Sequence, residues 1–268
     1  MREAATIFVT GASSGIGRAT AELLAARGFR AYGASRRAPE PPPDGVRDPW
    51  ITMDVRDEAE VRTGVATLVA SAGRLDGVVL SAGYSVFGSV EKLPMERARE
   101  QFETNVFGVL NVLRSTLPHL RQTRGRVVIL GSLAGRAPIP FQAHYSATKA
   151  ALDALALALR IEVAPFGVGV SLVEPGDINT PFNDHMEWGR DEGSPYAERL
   201  RRCERVVRES LPKAPGPELV AEVVWRALTA RRPRVRYTVG PDSLLVPLGR
   251  RLLPDWLSLA LIRDHFDV

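Results

Sequence analysis

A tyrosine and a lysine four positions apart, Tyr145 and Lys149, stand at the head of an Ala/Leu-rich run, Ala147–Ala164, that reads as a helix. That spacing puts both on one helical face. A phenol of ordinary pKa, about 10, is a poor acid–base group at neutral pH. An ammonium beside it favours the phenolate and lowers that value. Ser132 lies 13 positions before Tyr145, at the end of an apolar stretch, with a hydroxyl able to hold an oxygen. Together the three describe proton transfer at a single oxygen. Taken singly, each also fits a plainer role. Tyr145 would be a packing residue at a helix start, Lys149 a solvated lysine, and Ser132 a turn former. Asn105 sits amid Val106, Phe107 and Val109 in another helical stretch. A buried helical asparagine needs partners.

A second group of residues points to phosphate. Thr10-Gly11-Ala12-Ser13-Ser14-Gly15-Ile16-Gly17 follows an apolar strand and opens a helix. Gly11 permits a tight turn, Gly15 lets the backbone approach a pyrophosphate, and Gly17 lets the helix pack on the strand. Amide N–H groups and the positive end of the helix dipole then face the phosphates. The alternative is an ordinary glycine-rich turn. The spacing is Gly-x-x-x-Gly-x-Gly, which departs from the usual Gly-x-Gly-x-x-Gly dinucleotide fingerprint. The second apolar strand ends Gly33-Ala34-Ser35-Arg36-Arg37. An acid there would bond a ribose 2′-hydroxyl and select NAD. Ser35 stands in that place instead. Arg36 is suited to a 2′-phosphate and Arg37 adds positive field. NADP(H) is therefore expected over NAD(H). Two solvated arginines at a loop start are the plainer reading.

The variant glycine spacing resembles that of the short-chain dehydrogenase/reductase family, and further segments fit the resemblance in order. Tyr145-Ser146-Ala147-Thr148-Lys149 is similar to the family's Tyr-x-x-x-Lys signature. Ser132 matches its catalytic serine, Asn105 its helix asparagine, and Asp54-Val55 its adenine-contacting pair. Pro175-Gly176-Asp177-Ile178-Asn179-Thr180 resembles the Pro-Gly-x-Ile-x-Thr segment beside the nicotinamide. The resemblance spans residues 5 to 230. It implies hydride transfer coupled to proton transfer at one carbon–oxygen centre. Tyr145 would be the acid–base group, its pKa lowered by Lys149 and an oxidised nicotinamide. Lys149 would also bond the nicotinamide ribose. Ser132 would hold the substrate oxygen, and Asn105 would help order a water chain from Lys149 to solvent. The cofactor would lie along Gly11, Ser13, Ser14, Gly15, Ile16, Gly17, Ser35, Arg36, Arg37, Asp54, Val55, Ser81, Ala82 and Gly83, and along Pro175, Gly176, Ile178 and Thr180. Asp54 also fits a helix-start acid, and Ile178 and Thr180 a plain loop. One departure is Leu80-Ser81-Ala82-Gly83, where the family has Asn-Asn-Ala-Gly. Ser81 replaces an asparagine that ties neighbouring strands, and a hydroxyl offers only one donor and two lone pairs.

These residues need a frame. Apolar strands recur at Thr6–Thr10, Ala31–Ala34, Ile51–Met53, Gly77–Leu80, Arg126–Leu130, Val168–Val173 and Val235–Val239. Helical stretches alternate with them at Ile16–Arg27, Glu58–Ala72, Pro94–Gln122, Ala147–Ala164 and Glu218–Ala230. Apolar residues at nearly every strand position imply burial on both faces. The expected class is α/β, a Rossmann-type doubly wound, seven-stranded parallel sheet with helices on both faces. The proline-rich stretch 39–45 must be a surface loop. Residues 1–268 read as one domain, with a substrate lid at 181–217 and a pair of short helices in the tail 241–268.

The 268 residues are 45% hydrophobic, too apolar for a disordered chain. One cysteine, Cys203, cannot form an internal disulfide, which points to a reducing compartment. The net charge of +4 is small for the length and requires no nucleic acid. No signal-peptide core is visible, and the longest apolar stretch, Leu244 to Ile262, is broken by Arg250, Arg251 and Asp255. A cytoplasmic protein without metal is expected. The loop after Leu80, the stretch Gly135–His144 and the lid supply Tyr84, Val86, Phe87, Pro138, Ile139, Phe141, Phe182, Met186 and Trp188. That apolar set suggests a bulky lipophilic alcohol or ketone. His144 is a further candidate for substrate contact. The segment Arg234–Pro241 and the apolar helices after it resemble the branch of hydroxysteroid and retinol dehydrogenase-like members. Family members pair the helices Pro94–Gln122 and Ala147–Ala164, which implies a homodimer or homotetramer. Two other function classes are open. One is a redox-inactive NADP-binding regulator or scaffold. The other is a peripheral membrane or nucleic-acid protein using Arg231, Arg232, Arg234, Arg236 and the apolar tail.

Overall fold

A computed structural model describes residues 4–182, 186–189, 193–243 and 245–268. Residues 183–185 and 190–192 of the expected lid, and Leu244 of the tail, lie outside them. The chain runs β1 (Thr6–Thr10), α1 (Gly15–Ala26), β2 (Arg30–Ser35), β3 (Arg47–Thr52), α2 (Glu58–Ala72), β4 (Gly77–Leu80), β5 (Val86–Phe87), α3 (Met95–Phe102), α4 (Gly108–Thr123) and β6 (Arg126–Leu130). It continues α5 (Ala143–Val163), β7 (Gly169–Pro175), β8 (Glu187–Trp188), α6 (Ala197–Ser210), α7 (Glu218–Thr229), β9 (Arg236–Val239), α8 (Leu245–Leu252) and α9 (Asp255–His265).

Seven strands form one sheet in the order β3-β2-β1-β4-β6-β7-β9, every neighbouring pair parallel. Strict alternation along the central strands builds a core on each face. Phe8, Val78, Leu80, Val127 and Ile129 point to the side covered by α2, α4 and α5. Ile7, Val9, Val79, Val128 and Leu130 point to the side covered by α1 and α7. Strand order reverses between β1 and β4. In such sheets, ligands bind at that switch, outside the carboxyl ends of the strands.

Local chemistry sets the element ends. The Asp57 carboxylate accepts from the amides of Ala59 (2.8 Å) and Glu60 (3.0 Å), and so caps α2. The helix stops at Gly73, whose φ of 75° is left-handed. Two expectations need correction. The stretch Pro94–Gln122 is not one regular helix. A π turn, Glu103–Phe107, separates α3 from α4 and carries the buried Asn105. Wide turns of this kind concentrate at functional sites. The second correction concerns β3, which begins at Arg47 rather than Ile51, because an edge strand tolerates Pro49.

The helix in the stretch expected to be a lid is α6, and it caps a small separate core of Phe87, Met186, Leu200, Cys203 and Val207. There β5 pairs with β8, an unforeseen two-stranded sheet joining the loop after β4 to the lid. The tail forms α8 and α9, the expected pair of short helices. Among the described residues, no helix is long and apolar enough to cross a membrane.

Candidate active site

A cleft of about 1310 Å³ lies along the carboxyl ends of the strands. It gathers every residue expected to touch cofactor or substrate oxygen, while Asn105, expected to order a water chain, does not line it. Gly11, Ser13, Ser14, Gly15, Ile16 and Gly17 form one wall, with Ser35, Arg36, Arg37, Asp54 and Val55 beyond them. Ser81, Ala82, Gly83, Ser132, Tyr145, Lys149, Pro175, Gly176, Ile178 and Thr180 complete it.

The glycine wall fits a dinucleotide. Gly11 has φ +66°, and a Cβ there would sit 2.8 Å from Ala82 backbone. A Cβ on Gly17 would sit 2.2 Å from the Gly11 carbonyl oxygen, so only glycine lets α1 start so close to β1. Ser14 stands at the N-cap of α1 but makes no side-chain cap, which leaves the first amides of the helix to a ligand. Ser35 Oγ donates to the Arg37 carbonyl (2.5 Å) and shapes the turn after β2. Arg36 and Arg37 are exposed there, and among the described residues neither guanidinium has an ion-pair partner. The Asp54 carboxylate accepts from Nε and Nη2 of the Arg56 guanidinium, the shortest contact at 2.6 Å, and from the Arg56 amide at 3.0 Å. Burial opposes its ionisation, but these bonds outweigh burial and hold its pKa below the ordinary value. Asp54 is therefore not the acid of the following helix start; Asp57 is. The strand tie that Ser81 lacks comes from Thr10. Its hydroxyl donates to Val79 O (3.4 Å) and accepts from the amides of Ser81 (3.2 Å) and Ala82 (3.4 Å).

The chemical end of the cleft is built on α5, which begins at Ala143, so Tyr145 and Lys149 both lie within it. Lys149 is 9% exposed and its Nζ donates to Leu130 O at 2.8 Å. Burial pulls its pKa down to about 8. The ammonium lies 5.6 Å from the centre of the Tyr145 ring. Burial pushes the Tyr145 phenol up to about 12, against a hydrogen bond from Ser132 and with help from the charge of Asp177. The expected lowering by Lys149 is thus not produced by the protein's own groups. Desolvation dominates, and the ammonium is committed to a carbonyl. Ser132 caps the short turn Leu133–Gly135, accepting from the Ala134 amide at 3.1 Å, and Pro175 O lies 3.4 Å from its Oγ as an alternative acceptor for the one hydroxyl proton.

Asn105 does not line the cleft. Its Oδ1 accepts from the Tyr84 amide (3.1 Å), and its Nδ2 donates to Tyr84 O (3.0 Å) and Thr148 Oγ1 (3.2 Å). Thr148 Oγ1 in turn donates to the Tyr145 carbonyl (2.7 Å). Asn105 thus joins the π turn, the loop after β4 and α5 from behind.

The apolar set divides. Tyr84, Ile139, Phe182 and Met186 line the cleft, and Phe182 lies 6.2 Å from Tyr145 between ring centres. Phe87 instead packs on Phe141 and Trp188, on Trp188 at 4.8 Å, in the small core under α6. Val86 and Pro138 do not line the cleft, nor does His144, whose buried Nε2 has no hydrogen-bond partner among the described residues. Gln142 was not foreseen. It is 4% exposed and lines the cleft. Its Nε2 donates to Ser85 Oγ (2.9 Å) and contacts Met186 Sδ (3.3 Å). Also unforeseen is the Arg136–Glu174 pair, bonded at 2.6 and 2.7 Å, which fastens the Ser132 turn to the end of β7. Neither Gln142 nor Arg136 stands in a motif, so only the fold reveals them.

Comparison with known proteins agrees with this geometry. The family model for short chain dehydrogenase matches residues 5–190. A 3-ketodihydrosphingosine reductase of Bacteroides thetaiotaomicron is 33% identical over 98% of both chains. An NADPH-dependent 3-dehydrocapnine reductase of Ornithobacterium rhinotracheale is 31% identical over 92% of both chains. The human 17-beta-hydroxysteroid dehydrogenase type 1 is 32% identical over 93% of this chain and 81% of its own. Among solved structures, a short-chain dehydrogenase from Streptomyces avermitilis superposes with a TM-score of 0.82 at 33% identity, covering 97% of this chain and 98% of that one. With its glycine wall, strand order and motif series, the chain belongs to the short-chain dehydrogenase/reductase family, and its relatives include members of the hydroxysteroid dehydrogenase branch.

Proposed function

We propose that the protein is an NADP(H)-dependent oxidoreductase that interconverts a bulky lipophilic secondary alcohol and its ketone. The observation that carries this is the placement of Ser132, Tyr145 and Lys149 in one cleft with the glycine wall of α1. Gly11 to Gly17 would hold the pyrophosphate, Arg36 and Arg37 a 2′-phosphate, and Pro175 to Thr180 the nicotinamide end. When bound, the dinucleotide supplies or accepts the hydride.

Tyr145 donates the proton to the carbonyl oxygen in reduction and takes it back in oxidation. A phenol held near 12 is fully protonated at neutral pH, ready to donate. Ser132 holds the same oxygen by a hydrogen bond. Lys149, still mostly protonated at neutral pH with its pKa near 8, offsets the phenolate charge left behind. Asn105 and Thr148 act as positioning residues for the catalytic helix. Ile139, Phe182 and Met186 exclude water and favour an apolar substrate. Support for the lipophilic ketone also comes from relatives named for ketodihydrosphingosine and hydroxysteroid chemistry. Support for NADP comes from the relative named as NADPH-dependent. On this reading the protein is a homodimer or homotetramer and works in the cytoplasm as a single domain.

The test is a spectrophotometric screen of NADPH consumption and NADP reduction against steroids, retinoids, fatty aldehydes, long-chain ketones and aromatic ketones. Turnover of a lipophilic ketone with NADPH is the expected result. Tight NADPH binding with no turnover of any class would replace the enzyme with a binding module.

A further inference from the structure

Among the described residues, twelve large hydrophobic side chains stand exposed, and six of them fall within 245–261. Exposed apolar residues clustered in this way mark an interaction site. Leu245, Leu248 and Leu252 are spaced by three and four and form one stripe of α8. Trp256, 70% exposed, and Leu259 form a stripe of α9. Other sides of the two helices turn to the cleft, through Val246 on α8 and Ile262 and Phe266 on α9. Leu261 is 53% exposed and also lines the cleft, so the outer apolar surface runs into the cleft mouth. Arg251 and Arg263 are exposed on the same helices, and among the described residues neither makes an ion pair. With eight and eleven residues, α8 and α9 are too short to span a bilayer.

We propose that α8 and α9 dock the protein on the surface of a lipid bilayer, and that the cleft takes its substrate from that bilayer. The second half rests on the lipophilic-ketone reading above. A stripe of leucines beside a tryptophan, with unpaired guanidiniums on the same helices, fits the boundary between acyl chains and headgroups. Tryptophan favours that depth, and a guanidinium there meets lipid phosphates. Asp255 and Asp264 are exposed on α9 as well, so charge adds little and burial of the two stripes supplies most of the affinity. A second copy of the chain fits the face less well. It would close the cleft mouth at Leu261. The helices expected to pair in an oligomer also carry exposed side chains of their own, Phe107 just before α4 and Ile161 on α5. The basic edge of Arg231, Arg232 and Arg234 precedes β9, whereas the tail leaves the other end of that strand, so the edge takes no part.

The NADPH-loaded full chain is mixed at physiological salt with vesicles of phosphatidylcholine and phosphatidylglycerol, and the bound fraction is read by co-sedimentation. A parallel series uses brominated acyl chains, which quench a tryptophan at the acyl boundary. The wild type is expected to partition onto the vesicles with its fluorescence partly quenched. Leu252→Ser/Trp256→Ser lowers the partition coefficient about tenfold or more, while NADPH binding and Tm hold, because both side chains are exposed. Trp256→Phe keeps most of the binding and loses most of the quenching. A wild type that stays in solution overturns the docking surface, as does a double variant that partitions equally well. Analytical ultracentrifugation covers the remaining occupant. A wild type that ignores vesicles and self-associates, with the double variant dissociated, makes the face a subunit interface and overturns the proposal. Turnover of a lipophilic ketone without vesicle binding upholds the oxidoreductase reading alone. Vesicle binding that the double variant loses, with no turnover of any ketone, upholds the docking surface and removes that reading.

Discussion

The Arg136–Glu174 pair makes the most quantitative prediction. Glu174 has a side chain only 1% exposed, and Arg136 is 23% exposed. Arg136→Met keeps the length of the side chain but strands the carboxylate. Removing one partner of a buried pair costs about 3–5 kcal/mol, and the partial exposure of Arg136 places this case near the low end. For a chain of this size that lowers Tm by about 6–12 °C. The sign with pH follows from Glu174. Burial raises its pKa more than the Arg136 bond and charge lower it, so the folded value lies above the ordinary one. Such a group contributes stability that is present below its unfolded pKa and lost as pH rises through the folded one. Without Arg136 the folded value climbs further. The penalty of Arg136→Met is therefore larger at pH 8 than at pH 5, where Glu174 protonates more readily. Urea unfolding at both pH values measures it. Arg136→Met/Glu174→Met recovers most of the loss, because no unpaired charge remains. A penalty equal at both pH values, or a double variant as unstable as the single one, refutes the reasoning.

Other perturbations test the cofactor and proton-transfer roles. Arg36→Ala raises the Kd for NADPH about tenfold and leaves NADH unchanged, read by fluorescence titration. Equal losses for both cofactors remove Arg36 as the selector. Gly17→Ala forces a Cβ against the Gly11 carbonyl oxygen, 2.2 Å away in the present geometry. It costs about 1–3 kcal/mol in urea unfolding and weakens both dinucleotides alike. The pH profile of kcat/KM for reduction falls above about 8 as Lys149 loses its proton, while Tyr145 near 12 stays protonated across that range. Lys149→Met abolishes that limb as well as lowering the rate.

The sheet and the dinucleotide wall were legible because period-two apolar strands and positive-φ glycines leave strong local signals. Tyr145, Lys149 and Ser132 were legible through spacing on a helix and at a strand end. The π turn at Asn105 was not, since a helix period one residue too wide is invisible in a pattern that stays apolar on one face. The fate of Phe87, Phe141 and Trp188 was also hidden. An aromatic side chain near a cleft packs behind it or lines it according to tertiary contacts, here the β5–β8 pairing. How strongly burial raises the Tyr145 phenol was hidden for a similar reason. Sequence spacing places the ammonium near the phenol but says nothing of how much water either keeps.

The central claim is that Tyr145 is the acid–base group of an NADP(H)-dependent reduction. Stopped-flow measurement of hydride transfer by Tyr145→Phe, on a ketone that the wild type reduces, tests it most directly. The account predicts a Kd for NADPH close to that of the wild type and a rate lower by about 100-fold or more. A Tyr145→Phe protein that binds NADPH and still transfers hydride within a few-fold of the wild-type rate would contradict it.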